Sequence, residues 1–504
     1  MKHTSAIIMA AGLGTRMRSK TVKVLHPVAG RPMVWYMVLL ARQVSDGNVV
    51  AVLGHQSDRV KAFFTKIKNE IDSIDVALQT QQLGTGHAVL QAKPALMAHG
   101  RPLAKQCLIL NGDTPLLTKQ TIRQLLKQHE HNQAMLTLLT AQLDQPKGYG
   151  RVVRGVNDNV TKVVEDRDAT PQEKAIQEVN VGTYIVNTQF LFDALDQLKP
   201  NNAQGEYYFT DIIGMAVSAG HRVSAVMATD TDECMGINTR EHLAHAERVM
   251  RQRIRTRWMV AGVTMIDPGS TFIDDQVTLG EDTVLYPGVT LEGTTQIGEE
   301  GTIRAHTRIT NSVIANKVNI EDHCIIENAI VESRASVGPF ARLRPGAVLR
   351  SNAKVGNFVE MKNAELGQGS KANHLTYLGD AMIGQNVNIG AGTITCNYDG
   401  YRKEQTIIED DVFIGSDTQL IAPVVVGKGA VVGAGSTITR DVPPGALTLS
   451  RSEQVSHEGW AAKRRAYHTE QLERNGAGED KGVGRGPAAR TTRGVKSDKK
   501  SKKR

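Results

Sequence analysis

A glycine-rich turn with two cations near the start of the chain is the first group of residues suited to a chemical role. Residues 6–10 form an uninterrupted apolar run, which predicts a buried parallel strand, and they lead into the sequence AGLGTRM at residues 11–17. Glycines let backbone N–H groups close around phosphate oxygens, and Arg16 and Lys23 add positive charge there. The pattern predicts a nucleotide loop, although taken alone it also fits an ordinary glycine turn.

A carboxylate follows a second predicted strand. Residues 107–110 (CLIL) are apolar and end in Asn111, Gly112 and Asp113. Open α/β sheets bind ligands at the carboxyl ends of their strands, and a carboxylate opposite a triphosphate is placed to hold Mg²⁺. Taken singly, Asp113 is also typical of a turn before Pro115. A further glycine turn at residues 81–88 (QQLGTGHA) favours the nucleotide site.

His374 is the residue in the second half of the chain that suits acid–base chemistry. It lies three residues before Tyr377, and Arg344 and Lys362 precede Asp380 by 36 and 18 residues, which are whole turns of the repeat described next. Basic groups suit a phosphate, and a neutral imidazole suits removal of a proton from an amine. Most of the fifteen histidines are expected to be surface or structural groups.

A six-residue repeat over residues 279–438 must position His374. Aliphatic residues recur at six-residue intervals in three runs that are separated by phase slips. They are Leu279, Leu285, Leu291, Ile297, Ile303, Ile309, Val331, Val337, Leu343, Leu349, Val355, Met361, Ile408, Ile414, Leu420, Val426, Val432 and Ile438. This period predicts a parallel β-helix whose coils have three short faces, with the aliphatic residues inside. The polar insertion at residues 395–403 cannot fit inside a coil, so we expect it to project and to reach a neighbouring prism.

An amphipathic helix is predicted between the two regions. Leu243, Ala246, Met250, Ile254 and Trp258 recur at helical spacing and form an apolar stripe. The opposite side carries charged residues and is expected to be solvated: Arg240, Glu247, Arg251 and Arg255. We expect this arm to hold two domains apart.

Chain length, charge and cysteine content limit the classes of protein to which this sequence can belong. A chain of 504 residues predicts two or three domains. The net charge of +8 is concentrated in residues 481–504, which hold ten Lys or Arg against Asp498, so the near-neutral body gives no support for nucleic-acid binding.

Residues 461–504 are predicted to be a basic disordered tail, and RNA, anionic lipid or acidic proteins remain open as its partners. Four scattered cysteines, no apolar run of membrane-spanning length and no secretion signal favour a cytoplasmic location.

Several of these segments together resemble one enzyme family. Residues 9–17 with residues 23–25 resemble the signature of sugar-nucleotide pyrophosphorylases. Further segments are similar to the bifunctional N-acetylglucosamine-1-phosphate uridylyltransferase and glucosamine-1-phosphate acetyltransferase of bacteria. They are residues 84–88 (GTGHA), 148–151 (GYGR), 178–182 (EVNVG), 205–208 (GEYY), 338–346, 357–362, 374–380 and 388–400.

The resemblance covers about residues 5–460 and implies both a fold and an assembly. Residues 1–238 are expected to form an α/β nucleotidyltransferase domain with a Rossmann-like mixed sheet, and residues 239–262 the helical arm. Residues 263–460 are expected to form a left-handed β-helix with acetyltransferase activity. The family is trimeric, so the resemblance also implies a homotrimer.

The resemblance implies uridylyl transfer in the first domain, in which N-acetylglucosamine 1-phosphate attacks the α-phosphorus of UTP and pyrophosphate leaves. Arg16 and Lys23 would neutralise the developing charge, and Asp113 and Asn238 would hold Mg²⁺. The implied ligands of UTP and of UDP-N-acetylglucosamine are Met9, Ala10, Ala11, Gly12, Lys23, Gln79, Gly84, Thr85, Asn111, Gly112, Asp113, Gly150, Glu165, Asn180 and Asn238.

The resemblance also implies acetyl transfer in the β-helix, with His374 as the general base that deprotonates the amine of glucosamine 1-phosphate. That amine would attack the thioester of acetyl-CoA. The implied ligands of the amino sugar phosphate are Arg344, Lys362, Tyr377 and Asn388. Those of acetyl-CoA are Ala391, Asn397, Tyr398, Ser416, Ala434 and Arg451.

Two other hypotheses remain at this stage. One is a sugar-1-phosphate nucleotidyltransferase with a single activity, whose β-helix is regulatory. The other is a hexapeptide-repeat scaffold that binds zinc at subunit seams through His306, His323 and His374. The spacings of 17 and 51 residues argue against the scaffold, on the expectation that only multiples of 18 stack cleanly.

Overall fold

The computed structural model describes residues 3–71, 74–98 and 103–476. The chain divides into two compact units, residues 1–450 and residues 451–504. Within the described ranges, no helix is both long enough and apolar enough to cross a membrane.

The first domain is built on a nine-stranded mixed sheet. Its central strand Thr4–Ala10 pairs in parallel with Val49–Leu53 and Gln106–Asn111, and the latter pairs antiparallel with Glu178–Asn187. The predicted apolar runs are buried because helices cover both faces of the sheet. The Rossmann-like mixed sheet predicted from the sequence is therefore confirmed.

The remaining elements of this domain follow the α/β pattern. The other strands of the sheet are Asp75–Leu78, Leu136–Gln142, Arg151–Arg154, Val160–Val164 and Val223–Met227. The α-helices are Met33–Val44, Ser57–Lys66, Thr85–Leu90, Lys93–Leu96, Lys119–His131, Pro171–Lys174, Thr188–Leu195 and Asp211–Ser218. Short 3₁₀ turns lie at Thr15–Met17, Lys23–Leu25, Val156–Asp158 and Thr231–Cys234, and a small hairpin joins Pro27–Val28 to Arg31–Pro32.

The arm is the helix Arg240–Val260, which begins where the Thr239 hydroxyl accepts a hydrogen bond from the His242 N–H at 3.2 Å. Its apolar stripe is buried at Ala246, Met250 and Ile254, as the spacing predicts.

The expectation of a solvated opposite face on this helix is wrong for three of its four charged residues, and only Arg240 is exposed. Arg255 is only 7 % exposed and donates to the Thr271 carbonyl, while Glu247 accepts from the Ala29 N–H at 2.7 Å. Arg251 pairs with Asp274 at 3.2 Å. The charged residues therefore bind the first domain and the first coil to the helix.

The second domain is a left-handed β-helix with three parallel sheets of eleven, ten and nine short strands, here called faces 1, 2 and 3. Face 1 contains Thr264–Met265, Val284–Leu285, Thr302–Ile303, Asn319–Ile320, Ser336–Val337, Lys354–Asn357, Lys371–His374, Asn388–Ile389, Phe413–Ile414, Val431–Val432 and Leu447–Thr448. Face 2 contains Phe272–Ile273, Thr290–Glu292, Arg308–Thr310, Ile325–Glu327, Arg342–Leu343, Glu360–Lys362, Tyr377–Gly379, Ile394–Cys396, Gln419–Ile421 and Thr437–Ile438. Face 3 contains Thr278–Leu279, Gln296–Ile297, Val313–Ile314, Ile330–Val331, Val348–Leu349, Glu365–Leu366, Ala381–Ile383, Thr406–Ile408 and Val424–Val426. A 3₁₀ turn at Pro268–Ser270 lies in the first coil.

All eighteen aliphatic residues of the predicted repeat are buried, none more than 7 % exposed. The phase slips arise at one corner of the coil. Ile309 and Ile314 are five residues apart because Asn311 turns the corner in the left-handed conformation, at φ 47°. Most coils are therefore 17 or 18 residues long, and the coil that carries the projecting insertion has 25.

The expectation that only multiples of 18 stack is consequently wrong. His306 and His323, which are 17 residues apart, stack with 5.2 Å between ring centroids. This removes the spacing argument against the zinc scaffold. Within residues 3–71, 74–98 and 103–476, however, no group of three His, Cys, Asp or Glu side chains could hold a metal ion.

The expectation of a disordered tail is wrong for its first part. Residues Trp460–Gly476 form a helix, because this segment is rich in Ala, Lys, Arg, Glu and Gln, which favour helices. An ion pair at i,i+4 spacing, 2.6 Å between Arg474 and Glu470, adds to it. Residues 477–504, which carry the rest of the predicted tail, lie outside the described residues.

Candidate functional site

A cavity of about 290 Å³ opens at the carboxyl ends of the central parallel strands. Met9 and Asn111 face each other on neighbouring strands at its floor, and the Gly112 N–H donates to the Met9 carbonyl at 2.8 Å. The cavity collects residues that the sequence assigned to the nucleotide: Met9, Ala10, Ala11, Gly12, Lys23, Gln79, Gly84, Thr85, Asn111 and Asp113.

Gly14 brings the glycine-rich loop against Lys23. It has a φ of 63°, and a Cβ at this position would lie 2.6 Å from the Lys23 Cβ. Any side chain here would therefore push the lysine away from the loop. The two predicted cations are held together by this contact and by Asn238, whose carboxamide oxygen accepts from Arg16 at 2.9 Å and from Lys23 at 2.8 Å.

The oxygens of Asp113 and Asn238 converge on one positive charge. The Lys23 Nζ forms an ion pair with Asp113 and a hydrogen bond with Asn238. A carboxylate and a carboxamide oxygen that face a common cation are a donor set that suits Mg²⁺, which completes its shell with water and substrate phosphates. The residues present therefore fit a magnesium ion.

A second group of predicted residues lies beside the cavity. The Asn180 N–H donates to the Gly150 carbonyl at 2.9 Å, and Glu165 lies next to Gly150. Burial raises the pKa of the Glu165 carboxyl, while the Thr210 hydroxyl, which donates to it at 3.0 Å, acts in the opposite direction. Asn180 is fixed by the buried Tyr184, whose hydroxyl accepts from it at 2.6 Å.

A separate group of charges lies on face 2 of the β-helix. Lys362 and Arg344 lie on adjacent coils, because Leu343 pairs with Met361 and the Arg344 N–H donates to the Met361 carbonyl at 2.8 Å. The Lys403 ammonium, which comes from the projecting insertion, lies beside Lys362 and lowers its pKa. Although burial opposes it, hydrogen bonds from two asparagine side chains hold the pKa of Asp380 below its usual value. Arg344 pairs with Glu360 at 2.7 Å, so three cations face two carboxylates, Asp380 and Glu360. One positive charge is left in excess, which suits a phosphate.

His374 lies at the end of the strand Lys371–His374 on face 1, and Tyr377 follows it on face 2. Its ring is exposed in the single chain, and its carbonyl accepts from the Thr376 hydroxyl at 2.7 Å. Asn388 lies one coil further along face 1, opposite Lys371. The structure thus places the predicted base at the corner between the face that carries Asn388 and the face that carries the cations.

Three residues predicted to contact acetyl-CoA form a column along one corner. The Asp417 N–H donates to the Ala391 carbonyl at 2.7 Å, and the Gly435 N–H donates to the Ser416 carbonyl at 2.8 Å, so Ala391, Ser416 and Ala434 lie on successive coils. Asn397 and Tyr398 lie in the insertion, and Asn397 donates to Asp380. Arg451 is the first residue of the second compact unit.

Several residues that complete these groups were not predicted from the sequence. Gln82 and Glu206 line the cavity, Lys403 joins the cations of face 2, and Thr210 contacts Glu165. Gln82, Glu206 and Lys403 lie within the motifs at residues 81–88 and 205–208 and the insertion at residues 395–403, so proximity to a motif was the available signal. Thr210 lies 45 residues from Glu165, and no local pattern marks it.

Family models of known proteins match the first domain and parts of the β-helix separately. A family model described as "Nucleotidyl transferase" matches residues 5–259, "GMPPB C-terminal domain" matches residues 265–361, and "Bacterial transferase hexapeptide (six repeats)" matches residues 405–440. A protein named "Bifunctional protein GlmU" from Trichlorobacter lovleyi is 50 % identical over 92 % of this chain and 99 % of its own length. Proteins with that name from Geobacter sulfurreducens and Geotalea uraniireducens are each 46 % identical over 92 % of this chain and 100 % of their own lengths.

Proposed function

The chain belongs to the family of bifunctional GlmU proteins, and we propose that its two reaction centres are the cavity around Lys23 and the corner of the β-helix around His374. It is an enzyme of UDP-N-acetylglucosamine synthesis. It acetylates glucosamine 1-phosphate with acetyl-CoA and then transfers uridylyl from UTP to the product, releasing pyrophosphate. The observation that carries the assignment of sites is the presence of two separate cation clusters, one in each domain.

In the first centre, a phosphate oxygen of N-acetylglucosamine 1-phosphate forms a bond to the α-phosphorus of UTP while the bond to the leaving pyrophosphate breaks. No covalent intermediate with the protein is needed. Residues 9–12 line the triphosphate with backbone groups, and Arg16 and Lys23 neutralise the charge that develops on the leaving group. Glu165 and Asn180 would hold the sugar.

We infer that Asp113 and Asn238 hold Mg²⁺ in this centre, in the position that faces the Lys23 ammonium. When bound, the ion supplies charge neutralisation and alignment of the phosphate oxygens. Lys23, displaced from Asp113, is then available to the same phosphates through its long flexible side chain.

In the second centre, His374 would take a proton from the ammonium group of glucosamine 1-phosphate. The free amine attacks the thioester carbonyl, the carbon–sulfur bond breaks, and the protonated imidazole returns the proton to the leaving thiolate. Arg344, Lys362 and Lys403 would bind the sugar phosphate, and the column Ala391, Ser416 and Ala434 would line the path of the coenzyme.

One incubation tests the assignment of both activities. The chain is mixed with glucosamine 1-phosphate, acetyl-CoA, UTP and Mg²⁺, and UDP-N-acetylglucosamine is measured. We expect the nucleotide sugar only when all components are present, and N-acetylglucosamine 1-phosphate when UTP is omitted. A chain that converts only N-acetylglucosamine 1-phosphate would instead favour a nucleotidyltransferase with a regulatory β-helix.

The pH dependence of uridylyl transfer should reveal the contact between Thr210 and Glu165. Glu165 binds the sugar as a carboxylate, and burial raises its pKa, so activity is expected to fall on the acid side at a higher pH than for an exposed glutamate. Thr210→Val removes a donor to the charged form and should raise that pKa further, which moves the acid limb of kcat/KM upward by about 0.5–1 pH unit.

Thr210→Ser is the matched control, because it keeps the hydroxyl. It should reproduce the wild-type pH profile for N-acetylglucosamine 1-phosphate. Identical acid limbs in the valine and serine variants would show that the hydrogen bond does not tune Glu165.

We also infer a homotrimer, in which an exposed apolar ridge on the corner between faces 1 and 2 contributes to the seam between subunits. Phe340, Phe358 and Leu375 are 48 %, 58 % and 64 % exposed on successive coils, and the two phenylalanine rings stack at 5.3 Å. His374 adjoins Leu375, so a partner's projecting insertion could complete the second centre there.

Phe358→Glu should dissociate the assembly and abolish acetylation, because a charge in an apolar seam is costly to desolvate. Sedimentation should then give the mass of one 54.8 kDa chain, with uridylyl transfer retained. Val156→Glu, at a position 85 % exposed in the first domain, is the control and should leave the trimer intact. Full acetylation by a monomeric variant would exclude a composite site.

A cytoplasmic location is proposed on the basis of the cysteines. Cys107, Cys234, Cys324 and Cys396 are all free thiols in the structure. Unpaired cysteines are typical of a reducing compartment.

A further inference from the structure

We propose that His87 determines the base specificity of uridylyl transfer by fixing the orientation of the Gln79 carboxamide, so that only a carbonyl oxygen faces the base. The inference rests on the proposed nucleotide site and extends it to a residue that lines no part of the cavity. The site would select nucleotides whose base carries an N–H at N3 on its Watson–Crick edge, as uracil does.

Gln79 is 5 % exposed and lines the cavity. Its carboxamide nitrogen donates two hydrogen bonds, to the Gly84 carbonyl at 3.0 Å and to the His87 Nδ1 at 3.1 Å. A carboxamide nitrogen has two hydrogens, so both are used. Within residues 3–71, 74–98 and 103–476, the Gln79 side-chain oxygen makes no hydrogen bond and is left for a ligand.

The Gly84 carbonyl decides which way the carboxamide points. A backbone carbonyl can only accept, so the group that faces Gly84 must be the nitrogen of Gln79. The same nitrogen then faces His87, which requires Nδ1 to be the acceptor and places the ring proton on Nε2.

Gln91 secures this tautomer from the other side of the ring. Its carboxamide lies 3.2 Å from the His87 Nε2. Because the His87 Nε2 carries the proton, the group of Gln91 that faces it must be the carboxamide oxygen. In that orientation the Gln91 nitrogen loses only its long contact of 3.4 Å with the His87 carbonyl. The Gln79 carboxamide is held by a shorter, two-point contact.

The chemical consequence is a site that accepts a hydrogen bond and cannot donate one. Uracil carries N3–H, which the Gln79 oxygen accepts, whereas cytosine has a lone pair at N3 that faces the same oxygen. A hydrogen bond is then lost and two acceptors are brought together in a largely buried position. Discrimination between the two bases therefore depends on Gln79 being unable to turn over.

The test measures kcat/KM for UTP and for CTP with N-acetylglucosamine 1-phosphate as the acceptor. His87→Phe keeps a planar ring but removes the acceptor, and it should lower the ratio of UTP to CTP about tenfold or more. His87→Asn, whose side-chain oxygen occupies nearly the place of Nδ1, should restore the ratio to within about threefold of wild type.

Variants at Gln91 test the tautomer without altering His87. Gln91→Lys offers only a donor to Nε2 and would move the ring proton to Nδ1, so the UTP to CTP ratio should fall. Gln91→Met offers neither donor nor acceptor and should keep the ratio, since the Gly84 carbonyl still orients Gln79. Acetyl transfer, measured on each variant, reports whether the chain is folded.

Two results would overturn the inference: an unchanged ratio in folded His87→Phe, or equal loss of selectivity in Gln91→Lys and Gln91→Met. A wild-type chain that transfers no uridylyl group would be a different failure, since it would contradict the proposed function itself. A wild-type chain that uses UTP and CTP equally would leave the function standing and remove only the role of His87.

Discussion

His374→Ala is expected to abolish acetylation of glucosamine 1-phosphate and to leave uridylyl transfer at the wild-type rate. The amine of the substrate is protonated at neutral pH and cannot attack a thioester until a base removes the proton. A positioned general base typically contributes a factor of about 10² to 10⁴. Acetylation is measured as the thiol released from acetyl-CoA, and uridylyl transfer as pyrophosphate released when N-acetylglucosamine 1-phosphate is supplied directly.

The selectivity of this loss depends on the assembly staying intact. His374 is exposed in the single chain, and among the described residues its side chain makes no hydrogen bond, so the alanine variant should keep the trimer mass. His131→Ala, which alters an exposed histidine at the end of the helix Lys119–His131, is the matched control and should leave both activities unchanged. Wild-type acetylation by the His374 variant would remove this residue from the reaction.

The sequence was most informative where periodicity determines the direction of a side chain. The six-residue spacing of the aliphatic residues predicted their burial because each hexad contributes one inward position per face. It could not predict five-residue corners, since asparagine favours the left-handed conformation without requiring it. In the fold Asn311 has a φ of 47° and its N–H donates to the Glu292 carbonyl of the preceding coil at 3.2 Å. The phase slips were therefore visible in the sequence without an explanation.

Polar residues on the arm were misjudged for a related reason. Helical spacing identified the buried stripe correctly, but it cannot say whether a second body covers the opposite side. Glu247 and Arg255 find partners at Ala29 and Thr271, which come from different parts of the chain. On this helix, a charged face that contacts other parts of the chain has the same amino-acid composition as a face exposed to solvent.

The residues of the candidate sites also fall into a group that the sequence predicts and a group that it does not. Backbone-based ligands such as residues 9–12 follow a recognisable motif, because a phosphate loop needs glycine at defined positions. The sequence did not indicate which residues orient other side chains, even though His87 lies in the recognised segment at residues 84–88. His87 holds Gln79 and Thr210 holds Glu165 through single hydrogen bonds that exist only after folding.

Arg16→Ala should reduce uridylyl transfer by about 10² to 10³ while acetyl transfer stays near normal. Negative charge grows on the pyrophosphate as the α-phosphorus changes partner, and Arg16 is held toward that region by the Asn238 oxygen at 2.9 Å. Removing one preorganised donor to a developing anion typically costs about 2.7–4 kcal/mol. The loss should lie mainly in kcat, because the charge is greatest in the transition state.

Arg18→Ala is the control that separates position from charge. Arg18 lies two residues further along the same loop, is exposed, and carries the same charge as Arg16. If general attraction of a polyanion were responsible, both variants would weaken the apparent affinity for UTP to a similar extent, and added salt would reduce the difference from wild type. If Arg16 contacts the phosphates directly, only the Arg16 variant should lose uridylyl transfer, and the loss should not depend on salt. Equal loss of uridylyl transfer and acetyl transfer in a folded Arg16 variant would contradict separate reaction centres.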